Sequence, residues 1–270
     1  MRLKWLIKIC SSKVVMIYMM LASANKSYGQ QYNSDSWLSK PHGTITIIPT
    51  LGERNSMLMT TYSLFPRWEF TIAGYLYNND GNPRTNDGYS ASLYGKYMFY
   101  QNKAQTGGAS VKAGTGMRPG TINSEDREKD AFKSYWINFP CTIPMFNNKL
   151  SWDLMPGTSM TKNYGDSQTV AWGFTYSTRL AWYPFDPRWS LVGEMFGTAG
   201  ENKAIPEYRI GIRWEPSQYA VLAVTYGHEF NGSEGAGFEV GLMIFTPRFA
   251  CLGGCDKQKK KKKKSTSMVQ

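Results

Sequence analysis

The sequence predicts an all-β chain that closes as a transmembrane, up-and-down antiparallel β-barrel of about twelve strands. Two observations predict it. Apolar and polar side chains alternate residue by residue over many segments of about ten residues, and a strand turns successive side chains to opposite faces. Long polar connections also alternate with short turns, as they do when strands run up and down through a layer with two different sides. A soluble sandwich shows a similar alternation. Here nearly every segment carries Trp, Tyr or Phe on one face, and those faces together would need too thick a core.

The segment 169–182 shows the pattern most fully. Val170, Trp172, Phe174, Tyr176, Thr178, Leu180 and Trp182 share one face, and Ala171, Gly173, Thr175, Ser177, Arg179 and Ala181 share the other. The first face suits lipid and the second suits a lumen. In 67–77, Trp68, Phe70, Ile72 and Leu76 alternate with Arg67, Glu69, Thr71 and Ala73. In 89–100, Tyr89, Ala91, Leu93, Tyr97 and Phe99 alternate with Ser90, Ser92, Lys96 and Met98. The lipid-facing belt is expected to include Trp68, Trp152, Trp172, Trp182, Trp189 and Trp214.

Strands are expected near 43–50, 55–64, 67–77, 88–100, 107–118, 133–143, 149–160, 169–182, 189–197, 206–214, 219–229 and 237–246. With both termini periplasmic, connections after odd strands are external and longer. Those at 78–87, 119–132 and 198–205 are long, while 65–66, 146–148, 183–188 and 215–218 are brief, and only 51–54 is short where length is expected. Pro and Asn in the turns supply fixed φ and tolerance of positive φ.

Ahead of the strands the chain has the marks of export. Arg2, Lys4, Lys8 and Lys13 form a basic region, Val14 to Ala22 is an apolar run too short to span a bilayer, and Ala22-Ser23-Ala24 has the form of a signal-peptidase site. A signal peptide over 1–24 is expected, or over 1–29 if cleavage follows Ser27-Tyr28-Gly29, with 25–42 a short periplasmic segment. Cys10 precedes the apolar run, so it is not a lipoprotein acylation site.

The formal charge of +11 does not signal a nucleic-acid partner. Four of the cations lie in the export segment and a net six lie from Asp256 onward, which leaves residues 25–255 at +1. After loss of Cys10, Cys141, Cys251 and Cys255 make an odd number and no disulfide framework. His42 and His228 form no recognised metal spacing with them, and no cofactor is expected. The barrel is expected to span 43–249, with Phe249 as an aromatic terminus of the kind read by the barrel-insertion machinery. Residues 250–270, with Lys259 to Lys264 in succession, are expected to form a disordered periplasmic tail.

Charged inward residues follow from the register of the hairpins. Asp153 and Arg179 are equidistant from Asp166, Arg179 and Glu194 from Asp186-Pro187, and Glu194 and Arg209 from Glu201-Asn202. Antiparallel pairing about these centres sets the four side by side on adjacent strands with alternating signs. Glu69 and Lys96 pair in the same way about Asn82-Pro83. Such a set is expected either to fill and neutralise a lumen as paired charge or to form a polar constriction that selects solutes.

No catalytic constellation emerges. The rival enzyme reading rests on His228 beside Glu229 at the external end of the eleventh strand, with Ser233 nearby, and lacks motif-level spacing. A structural or adhesive barrel would work through its external loops, and these are modest apart from the charged 119–132.

The strand 152–158, the hairpin VAWGFTYSTRLAWYPFDPRWSLVGEMFG ending beyond Glu194, and the final pair YAVLAVTYGHEFNGSEGAGFEVGLMIFTPRF together resemble the MetA-pathway phenol-degradation family of porin-like outer-membrane barrels. The resemblance covers about Gly107 to Phe249. It implies an outer-membrane location, a small-molecule solute that includes apolar or aromatic compounds, and contact with outer-membrane lipid.

Overall fold

A computed structural model describes residues 42–77, 88–117, 120–121, 132–162, 169–201, 203–231 and 235–249. The expected signal peptide, most of the N-terminal segment and the Lys-rich tail lie outside the described residues. Twelve strands follow one another: β1 Thr44–Gly52, β2 Asn55–Phe65, β3 Trp68–Tyr77, β4 Gly88–Gln101, β5 Gly108–Gly116 and β6, made of Ser134–Asn138 and Cys141–Met145. β7 comprises Leu150–Leu154 and Gly157–Lys162, and then come β8 Val170–Trp182, β9 Trp189–Gly200, β10 Ala204–Ser217, β11 Ala220–Glu229 and β12 Gly237–Phe245. Each strand pairs antiparallel with the next, and β12 returns to β1 through Thr46 opposite Phe245 and Leu51 opposite Val240. The sheet is closed, so it has no edge whose backbone groups would face lipid without partners.

Two prolines explain why β6 and β7 are interrupted where the sequence pattern runs on. Lys112 opposes Asn138 and Gly108 opposes Thr142, so the β5–β6 register is the same on both sides of Phe139-Pro140. The β6–β7 register likewise carries through, from Gly157 opposite Asn138 to Cys141 opposite Leu154. Pro140 and Pro156 lack the N–H that would complete the ladder, and the strands continue without a slip.

Several boundaries differ from the sequence pattern. Glu215-Pro216-Ser217, expected in a turn, belongs to β10, because Pro216 in an extended chain does not halt the strand and the turn is confined to Gln218-Tyr219. β9 runs on to Gly200, and Gly120–Thr121, expected in a loop, pairs with Gly88 and Tyr89 of β4. The β6–β7 turn is made by Phe146, Asn147 and Asn148, all at positive φ.

The radial distribution of side chains is inverted relative to a soluble protein. Glu69, Asp153, Arg179, Glu194, Arg213 and Glu239 are buried, while Phe70, Ile72, Trp172, Phe174, Ile210, Val224 and Phe238 are exposed. Five of the six tryptophans expected in the outer belt are at least 37% exposed, and Trp214 faces the same way, stacked at 5.5 Å on Trp189. Such a surface belongs in a bilayer, where the outward side chains are solvated by acyl chains. The inner wall also has an apolar sector: Ile48, Met59, Ala73, Val221, Met243 and Phe245 form one cluster, with Met57, Tyr75 and Tyr94 against it.

Closure is reinforced beyond the last strand. The Thr246 N–H donates to Ile45 O at 2.9 Å, the Ile45 N–H to Thr246 Oγ1 at 2.9 Å, and the Phe249 N–H to Gly43 O at 3.0 Å. Arg248 Nη2 lies 3.3 Å from His42 Nε2. Partial burial, and then the Arg248 charge, lower the His42 pKa, so the neutral ring that can accept this bond is favoured.

Two outcomes check this architecture. Ile212→Arg places a cation on the outer face, so folding into vesicles should be weakened by about 2–4 kcal/mol if the site lies near the bilayer midplane. Unchanged folding would contradict the lipid-facing assignment. A chain ended after Phe249 keeps every closing bond and should retain heat-modifiable gel mobility, whereas one ended after Phe245 should assemble poorly.

Candidate functional site

The inner wall of β7–β10 carries a continuous run of charge, which Thr142 of β6 adjoins. In register, Thr142 opposes Asp153, Asp153 opposes Arg179, Arg179 opposes Glu194 and Glu194 opposes Arg209. Each sits at an inward position because its neighbours in the strand, such as Trp152, Leu180, Met195 and Ile210, face out. Asp153 is fully enclosed and its two oxygens divide their work. Oδ2 accepts from Arg179 Nε at 2.8 Å and Nη2 at 2.5 Å, and Oδ1 accepts from Thr142 Oγ1 at 2.5 Å. Buried opposite charges require such pairing, since each alone would carry a large desolvation cost.

Glu194 accepts a hydrogen bond from Ser177 Oγ at 3.3 Å. Arg209, opposite Glu194 in register, forms its ion pair in the other direction. Its Nε lies 3.1 Å from Glu239 Oε2 on β12, two strands away. The intervening position is Gly227, whose backbone opposes Arg209. A Cβ there would lie 3.1 Å from Ala236 Cβ and 3.7 Å from Arg209 Nε, so the glycine leaves the path across β11 open. Thr225 Oγ1 donates to the same Glu239 oxygen at 3.3 Å. The Arg209 guanidinium also lies 5.6 Å from the Phe196 ring centroid.

On the opposite arc Lys96 Nζ is 3.1 Å from Glu69 Oε2, between directly opposed positions of β3 and β4. Arg213 and Glu215, one inward position apart on β10, form a further buried pair at the end of the barrel that carries the β8–β9 turn. Tyr183 of the adjoining β8–β9 turn belongs to this group; burial raises its phenol pKa, against the charge of Arg213.

The sequence reading passed over Arg213, Glu215 and Glu239. Parity from Arg209 reaches Arg213 within the expected strand 206–214, and reaches Glu215 once the strand is carried past Trp214. Glu239 lies on the face opposite Phe238 and Val240, but its pairing with Arg209 skips a strand and is invisible to nearest-neighbour arithmetic. The site named as an enzymatic alternative is split by the wall. The His228 ring faces outward with Tyr208 and Tyr226, each 6.4 Å away between centroids, while Glu229 takes the inward parity of Thr225 and Gly227. Ser233 lies outside the described residues. No group of three or more potential metal ligands occurs among the described residues.

The Asp153–Arg179 pair is almost completely enclosed, with side chains 0% and 2% exposed. Asp153→Ala should destabilise the refolded barrel by about 3–5 kcal/mol, and Asp153→Leu combined with Arg179→Met by much less, because the double change removes both charges. Urea unfolding in detergent measures both. Equal losses would show that the pair is not what these side chains contribute.

No protein-family model matches the chain, and no curated protein matches it. Solved structures do share its fold. The COG4313 outer membrane channel from Pseudomonas putida F1 is 14% identical, aligning with 81% of this chain and 99% of that one at a TM-score of 0.52. The KdgM porin in complex with disordered oligogalacturonate is 10% identical, aligning with 74% of this chain and 98% of the porin at a TM-score of 0.51. The chain thus has the closed-barrel architecture of outer-membrane channels and porins.

Proposed function

We propose that the protein is a porin-like channel of the outer membrane that passes small solutes, apolar or aromatic compounds among them, through a polar, ion-paired lumen. One observation carries this reading: the barrel is inside out, with charge gathered on the inner wall and apolar side chains on the outer. A wall of paired charges offers hydrogen-bonding groups to a passing solute while its near neutrality avoids trapping ions of either sign. The apolar sector around Met59, Val221 and Met243 offers the opposite chemistry on the facing strands. The resemblance to the MetA-pathway phenol-degradation barrels and the channel architecture of the solved counterparts support the same reading. Asp153, Arg179, Glu194 and Arg209, with Glu69 and Lys96, are the residues proposed to set solute passage. Delivery would involve an N-terminal export signal and the barrel-insertion machinery, with outer-membrane lipid around the belt and no nucleic-acid partner.

Conductance across a planar bilayer tests the proposal. The purified protein should carry ion current, and no current under any condition of reconstitution would overturn it. Glu194→Ala removes the anion standing between Arg179 and Arg209 in the register, so the reversal potential in a salt gradient should move toward anion selectivity. An unmoved reversal potential would exclude this wall from the permeation path.

A further inference from the structure

Two glycines stand at outward positions where neighbouring strands present large side chains: Gly74 in β3 and Gly193 in β9. A Cβ built at either meets nothing within 4 Å, whereas one at Gly211 would collide with Val224 O. Packing within the barrel demands glycine at 211 and makes no such demand at 74 or 193. Glycine weakens a strand interior, and there it often marks the close approach of a ligand.

The surroundings of Gly193 show what could approach. In register Gly193 lies between Leu180 and Ile210, and the next outward row toward the short turns runs Trp182, Leu191, Ile212. All five of these side chains are exposed on the outer face. The missing side chain opens a groove of about 980 Å³ between the rows, lined almost wholly by apolar groups. The groove runs from Phe146 and Lys149 beside β7 to Phe238 on β12. Five inter-strand steps of about 4.8 Å make it roughly 24 Å long, a length that suits a fatty acyl chain. Gly74 stands between Leu58 and Ala91 and is not part of the groove.

Lys149 gives the groove a polar end. It is exposed in the β6–β7 turn and pairs with no carboxylate among the described residues. A cation at the rim of an apolar outer surface attracts anionic lipid headgroups.

We propose that this groove is a specific site for an anionic phospholipid, with an acyl chain laid over Gly193 and the phosphate on Lys149. Short turns face the periplasm in outer-membrane barrels, where the leaflet is phospholipid. The site goes beyond the channel reading and stands whether or not the barrel conducts.

Native mass spectrometry of the protein in detergent, titrated with phosphatidylglycerol, phosphatidylcholine and lipid A, tests the proposal. One phosphatidylglycerol should be retained, about fivefold more tightly than phosphatidylcholine. Gly193→Leu fills the groove and should weaken that retention by about tenfold or more, while Gly74→Leu, at an equally open position, should leave it unchanged. Lys149→Gln should bring phosphatidylglycerol down to the level of phosphatidylcholine. Heat-modifiable mobility confirms that each variant is folded, and if Gly193→Leu is not, Lys149→Gln and the smaller Gly193→Ala decide. No retained lipid, tighter retention of lipid A, no headgroup preference, equal losses in the two glycine variants, or indifference to Lys149 or Gly193 overturns the site.

Discussion

The requirement that no backbone N–H or C=O face hydrocarbon without a partner governs this structure. An open sheet meets it nowhere along its edges, so the pairing of β12 with β1 is the interaction on which the rest depends. It is also the pairing of greatest sequence separation, bringing Thr46 opposite Phe245, and no hairpin turn holds its register. The bonds from Thr246 and Phe249 back to Ile45 and Gly43 extend this seam past the last strand, where fraying would begin. Pro140 and Pro156 show the tolerance of the rule: each removes one donor, yet the register is unchanged on both sides because neighbouring ladder bonds hold it.

Once the sheet is closed, the period of two assigns every side chain to lipid or lumen, and charge has only one side to go to. Inside, each cation must be placed near an anion, and the wall solves this in three ways. Asp153 and Arg179 use direct cross-strand opposition. Arg213 and Glu215 use successive inward positions of one strand. Arg209 and Glu239 use a reach across β11, which Gly227 permits. Together with Glu69 and Lys96 these pairs make a lumen that is rich in charge and low in net field, facing an apolar sector on β11, β12 and β1–β3. A barrel interior of that composition presents both a polar and a greasy wall.

Much of this was legible in the sequence, and the reasons are physical. Strand number and parity were legible because lipid enforces alternation over every span, as in 169–182. The placing of Arg179 opposite Glu194 was legible because the β8–β9 turn is short and fixes the register by simple equidistance. Equidistance also survived the long connections, as for Glu69 opposite Lys96, because strands of fixed tilt leave little freedom to slip. Contacts that skip a strand were not legible, since Arg209 reaches Glu239 only because Gly227 has no side chain. Trp136 was equally obscure: an aromatic residue in such a chain is expected outside, and its inward parity is accommodated by Gly114 and Gly116, where a Cβ would crowd the ring. Glu215 was hidden by Pro216, which reads as a turn and is here part of a strand.

The account stands on the claim that one face of each strand meets lipid and the other meets a water-lined interior. Spin labels placed singly along β8 from Thr175 to Trp182 in the reconstituted protein test this most directly. Accessibility to oxygen should be high at Tyr176, Thr178, Leu180 and Trp182, and accessibility to a water-soluble paramagnetic reagent should peak at the alternate positions Thr175, Ser177 and Ala181. Period-two profiles in opposite phase for the two reagents are the expected result. Profiles in phase, or water reaching the aromatic face, would contradict the account.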